Sequence, residues 1–167
     1  MMASFTPALV IASILGSGLM AGLFFIFSNT VMAALGRLPA AQGMAAMQSI
    51  NAVILNPVFL CLFMGTALLC ALVIVLSVLQ WRSPGAAFLI LGGASYLIGA
   101  FLVTMAFNVP LNNELAALAA GDSESAGAWM RYLGTWTSWN HVRALTSILA
   151  LLCQTIGLFR MAASLAP

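Results

Sequence analysis

Four long apolar runs decide what this chain can become. They lie at about residues 7–35, 57–79, 85–107 and 141–161, and each meets the roughly 20 residues needed to cross a bilayer core. A soluble domain is about one quarter charged. Here 5% of 167 residues are charged, none of them lysine, and mean hydropathy is +1.13. The sequence therefore reads as an all-α integral membrane protein: a four-helix transmembrane bundle, one domain over residues 1–167, with the lipid bilayer as its first partner. The opening run lacks a positively charged leader and is too long for a cleaved signal, so we read it as a retained span. A net charge of +2 without a basic run argues against nucleic acid as a partner.

The connections define two sides. "WRSPG" (Trp81 to Gly85) is a tight turn joining spans two and three. The other two connections are long. In the first, Met44, Met47, Ile50, Val53 and Ile54 recur at near-helical spacing and predict an amphipathic helix. The second carries all three acids, Glu114, Asp122 and Glu124, an apolar face of Leu111, Leu115 and Leu118, and a polar turn "GDSES". Two spans separate these connections, so both lie on one side and the termini on the other. Arg82 and Arg160 flank one face against Arg37, Arg131 and Arg143 on the other, so the positive-inside rule decides little. Treating the loop-side arginines as functional puts both termini in the cytoplasm, in a bacterial inner membrane. Gly18 and Gly22 form a GxxxG, a spacing that serves packing within the bundle or a homo-oligomer.

Polar residues gather at one depth, beside the long connections. They are Ser28 and Asn29 at the end of span one, Gln48 and Asn51 in the first connection, and Asn56 at the mouth of span two. Asn108, Asn112 and Asn113 follow span three, and Trp136, Trp139, Asn140, His141 and Arg143 open span four. The opposite leaflet has almost nothing comparable. Helix capping explains some of them singly: Asn56–Pro57 is a good initiating pair, Asn108-Val-Pro110 can end span three, and tryptophans favour the headgroup level. Capping does not explain the spacing. Trp136, Asn140 and Arg143 fall at i, i+4 and i+7, one helical face, whereas His141 projects about 100° from Asn140.

An arginine inside the apolar slab costs at least about 2.5 kcal/mol, so Arg143 calls for Glu114 or an anionic ligand. One histidine and three isolated cysteines (Cys61, Cys70, Cys153) make a poor zinc set, which needs four ligands, so no metal is expected. The cysteines read as buried and inert. A histidine suits the role of base or hydrogen-bond donor.

The stretches "FSNTVMAALGRLP", "AMQSINAVILNPVF", "NVPLNNELA" and "WMRYLGTWTSWNHVRAL" resemble the anthrone oxygenase-like family of small integral membrane proteins. The resemblance runs from Phe25 to Leu149. It implies oxidation of an anthrone to an anthraquinone with O₂ as co-substrate and no added cofactor. An anthrone CH₂ is acidic because its conjugate base is an aromatic enolate, and that carbanion reacts with O₂ directly. On chemical grounds His141 would be the base. Arg143, helped by Asn108 or Asn112, would stabilise the enolate oxygen. Trp136, Trp139 and Phe107 would hold the ring, with Asn140, Asn51, Asn56, Gln48 and Asn29 completing the substrate wall.

Three classes of function are open to such a chain. The first is an oxygenase or oxidase acting on a lipophilic aromatic or quinol. The second is a protein that binds a lipid, quinone or other small ligand without turnover. The third is a structural or accessory subunit whose polar cluster only knits the loops to the bundle.

Overall fold

The structure is a computed structural model that describes residues 6–119 and 125–164. Four helices are long and apolar enough to cross a membrane: α1 (Pro7–Leu35), α3 (Pro57–Leu79), α4 (Ala86–Ala116) and α5 (Ser125–Ala163). Between α1 and α3 lies α2 (Ala40–Val53), the amphipathic helix expected there. Leucines, valines and phenylalanines such as Leu15, Val58, Leu68 and Phe159 point outward, as a bundle in lipid requires.

Three helices are longer than a bilayer needs: α1 with 29 residues, α4 with 31 and α5 with 39. The 39 residues of α5 span about 58 Å at 1.5 Å per residue, against a hydrocarbon core of ~30 Å. Its N-terminal segment around Trp129 and Tyr132 therefore projects beyond the slab. There it packs with α2 and the ends of α1 and α4 around a second core of Met32, Met44, Met47, Leu115, Trp129 and Tyr132. Gln48 Nε2 ties this layer together by donating to Leu115 O at 2.8 Å and Leu118 O at 3.0 Å. Both long connections thus meet on one side.

The second connection differs from its expected form. Span three does not stop at Phe107, and span four does not start at His141. The helix runs through Pro110, and most of the remaining stretch belongs to α5. Two wide π-helical segments in α4, Ser95–Leu102 and Thr104–Asn108, make this workable. The Val109 N–H reaches back to Thr104 O, and the widened turn gives room to a ring that would clash inside a regular α-helix. The turn "GDSES", with Asp122 and Glu124, lies outside the described residues except for Ser125, where α5 begins.

The hairpin turn has its expected form. Gly85 opens α4 at φ 90°, a left-handed conformation that favours glycine, and its backbone lies against Gly157. Further along, Gly92 faces Ala150 and Gln154, and Gly99 faces Thr146, so α4 and α5 approach at backbone distance. Gly18 packs on Leu151, whereas Gly22 faces open space.

Two readings need correction. The leaflet opposite the polar cluster is not bare, because Ser13, Ser17, Ser77, Cys70 and Gln154 are all buried. Cys70 Sγ lies 3.3 Å from Ser13 Oγ and 3.6 Å from Gln154 Nε2. Single small polar groups inside apolar runs carry little weight in a hydropathy reading, yet on the inward face Ser13, Cys70 and Gln154 meet one another. Cys70 and Cys153 are buried, but Cys61 is exposed on the outer face of α3.

Candidate functional site

The site is built where α1 and α4 both leave regular α-helical geometry. α1 widens over Phe27–Val31 and α4 over Thr104–Asn108. An extra residue in a turn rotates every later residue about the helix axis, and such insertions recur at functional sites. Between these two segments runs the α5 face bearing Trp136, Asn140 and Arg143, each no more than 5% exposed.

Asn140 is completely used. Its Nδ2 donates to Phe24 O at 2.7 Å and Ser28 Oγ at 2.6 Å. Its Oδ1 accepts from Arg143 Nη2 at 2.7 Å. Arg143 Nη1 donates to Thr104 Oγ1 at 3.2 Å, and that hydroxyl donates in turn to Ala100 O at 2.7 Å. The guanidinium carbon sits 4.4 Å from the Phe24 ring centroid and 5.0 Å from that of Trp136. Cation–π contacts of this kind reach about 2 kcal/mol or more once desolvated. Glu114 does not pair with Arg143, and no ion pair reaches it among the described residues. Neutral amide and hydroxyl groups and two aromatic faces hold the charge instead.

Asn112 Oδ1 accepts from Trp136 Nε1 and from the Tyr132 hydroxyl, both at 2.8 Å. Asn51 Nδ2 adds a longer contact of 3.4 Å to the same hydroxyl. Asn108 Nδ2 donates to Trp136 O at 3.3 Å. Two buried atoms lack a partner here: Asn108 Oδ1, an acceptor, and Arg143 Nε, a donor.

Arg143, Asn108, Asn112, Asn140, Asn51 and Trp136 line one cavity of about 80 Å³. Its opposite wall is apolar, and Leu55, Phe59 and Val109, all at least partly exposed, form a mouth toward the lipid side. A second, open cleft of about 260 Å³ lies nearer the loops, lined by Glu114, Arg131, Tyr132 and Thr135. Tyr132 is thus shared: its side chain lines the outer cleft while its hydroxyl bonds to Asn112 at the inner cavity.

The other expected site residues lie elsewhere. His141 is exposed, in a shallow groove with Ser28, Gly134 and Ser138 on the outer face of the helix. Phe107 and Trp139 stack on each other at 3.7 Å, outside the cavity lining. Asn56 caps α3, accepting from Phe59 N at 3.0 Å and donating to Val53 O at 3.1 Å. Gln48 is the tether described above, and Asn29 is exposed. Phe24 and Thr104 belong to the site although neither stands out in the sequence. Thr104 precedes Asn108 by four residues, a signal the sequence carries; Phe24 offers none. Among the described residues no three His, Cys, Asp or Glu side chains gather as metal ligands would.

A family model described as anthrone oxygenase matches residues 59–153. That is more than half of the chain. The chain belongs to the anthrone oxygenase family. No curated protein and no solved structure matches it. The matched segment holds Thr104, Asn108, Asn112, Trp136, Asn140 and Arg143, so most of the polar side of the cavity lies within it. Phe24, Ser28 and Asn51 lie outside. With its four apolar helices, the protein is a multi-pass membrane member of an oxygenase family.

Proposed function

We propose that this protein oxidises an enolisable lipophilic aromatic, anthrone- or quinol-like, with O₂ as co-substrate and without a bound cofactor, in the cavity beneath Arg143. The observation that carries the reading is the pair of unpartnered buried atoms, Arg143 Nε and Asn108 Oδ1, on residues lining one cavity. A donor on a cation suits an enolate or phenolate oxygen, and a neutral acceptor suits a neighbouring hydroxyl.

A fixed cation in a dry site favours the ionised ligand over the neutral one, so the site selects the electron-rich form that reacts with O₂. Arg143 is already held by Asn140, Thr104 and two rings. It need not reorganise as charge shifts, which is where such stabilisation is most effective. His141 lies outside this cavity. The ligand therefore gives up its proton to water or hydroxide at the hydrated loop side, and Arg143 holds the resulting anion. For a CH₂ substrate, one O₂ converts the methylene to a carbonyl and releases water. The 80 Å³ cavity is below the ~300–1,000 Å³ of most ligand sites. One ring edge enters, and the remaining rings lie across the lipid-facing mouth at Phe59 and Val109.

The test is oxygen uptake by purified protein with an anthrone substrate, together with product analysis. Arg143→Met should lose at least about tenfold in rate, the worth of ~1.4 kcal/mol, while His141→Phe keeps its rate. Full activity in Arg143→Met sinks the proposal.

A further inference from the structure

We propose that the Arg143 cavity binds a small monovalent anion of chloride size when no organic ligand occupies it. The proposal stands apart from the oxidation chemistry, since it needs only the cation and the cavity.

The charge balance comes first. Arg143 is 5% exposed, and its partners Asn140 and Thr104 are neutral. The chain has three acids. Glu114 is exposed and lines the outer cleft beside Arg131. Ser125, the first described residue after Asp122 and Glu124, lies about 27 Å along the helix from Arg143 at 1.5 Å per residue. Among the described residues, no carboxylate is in position to neutralise this guanidinium. A buried charge without a counter-charge is costly even when hydrogen-bonded, so an anion from solution gains the full benefit of the site.

The geometry agrees. Phe24 and Trp136 cover the guanidinium, two of its nitrogens are engaged, and Nε remains unpartnered on a cavity-lining residue. A volume of about 80 Å³ equals two to three waters at ~30 Å³ each, room for one small anion and one water. That water reconciles the other unpartnered atom. Placed between the anion and Asn108 Oδ1, it donates to both.

Thermal unfolding of the detergent-purified protein tests this, with sodium gluconate replaced by sodium chloride at constant ionic strength. Gluconate is too large for the cavity, and its polyol chain is unsuited to the apolar mouth of Leu55, Phe59 and Val109. The wild-type midpoint should rise with chloride and saturate, by about 5–10 °C at 100-fold excess over the dissociation constant, and bromide should act alike. Asn108→Asp, which puts a carboxylate on the cavity wall at the loss of the bond to Trp136 O, should no longer respond to chloride. Arg143→Gln should also be unresponsive. Chloride NMR line broadening on the wild type reads binding without any variant. A wild type that shows neither shift nor broadening overturns the proposal. So does an equal chloride shift in wild type and Asn108→Asp, which would mark a general salt effect.

Discussion

Replacing Asn140 with leucine removes the one amide that joins α1 to the cation on α5. The side chain is close in volume and 0% exposed, so packing changes little and the loss is polar. Three bonds disappear: two from Nδ2 to Phe24 O and Ser28 Oγ, and one from Arg143 Nη2 to Oδ1. Hydrogen bonds inside membrane proteins average about 0.6 kcal/mol, so simple addition gives roughly 2 kcal/mol. Arg143 raises the figure, because removing a partner from a buried charge costs ~3–5 kcal/mol in soluble proteins. We expect about 2–4 kcal/mol, or ~4–16 °C in midpoint at 2–4 °C per kcal/mol for a chain of this size. Asn29→Leu, on the exposed side of the α1 end that Asn140 bonds, is the control and should move the midpoint by no more than about 1 °C. The measurement is thermal unfolding in one detergent, monitored by intrinsic tryptophan fluorescence. Equal midpoints for the two variants would refute the argument that Asn140 organises the site.

Three further outcomes rest on particular contacts. Gly92→Ala puts a Cβ about 2.7 Å from Gln154 Cγ and 3.0 Å from Ala150 O, so it should cost ~1–3 kcal/mol, read as a lowered midpoint. Tyr132→Phe deletes the hydroxyl that bridges Asn112 and Asn51; it should fold, lose about 0.5–1.5 kcal/mol, and weaken ligand binding in a direct titration. Cys61 is exposed while Cys70 and Cys153 are buried, so a membrane-permeant maleimide should label one thiol in the folded protein and three after denaturation, counted by intact mass.

The apolar runs set the span count because length and hydropathy are additive along a chain. The i, i+4, i+7 face of Trp136, Asn140 and Arg143 is legible for the same reason, being defined by one helix alone. His141 enters the sequence reading by its chemistry, although the helix turns it about 100° from Asn140, and that rotation carries it out of the cavity to the outer surface. Phe24 cannot be found in the sequence, since its role depends on where α1 crosses α5. Nor can the π-helical segments, whose residues resemble those of any apolar helix. Pro110 shows the consequence: a proline that usually marks a helix end sits inside α4 because the preceding turn is wide. Gln154 and Ser13 are single polar groups in apolar runs, where only three-dimensional packing reveals an inward face.

The central claim is that the cavity beneath Arg143 is where this protein meets its ligand. The most direct measurement is a structure of the detergent-purified protein with a bound anthrone or quinol analogue. The account predicts an oxygen of that ligand within ~3 Å of Arg143 Nε, with its rings over Phe59 and Val109. A ligand seated instead in the cleft between Glu114 and Arg131, or in the groove at His141, would contradict it.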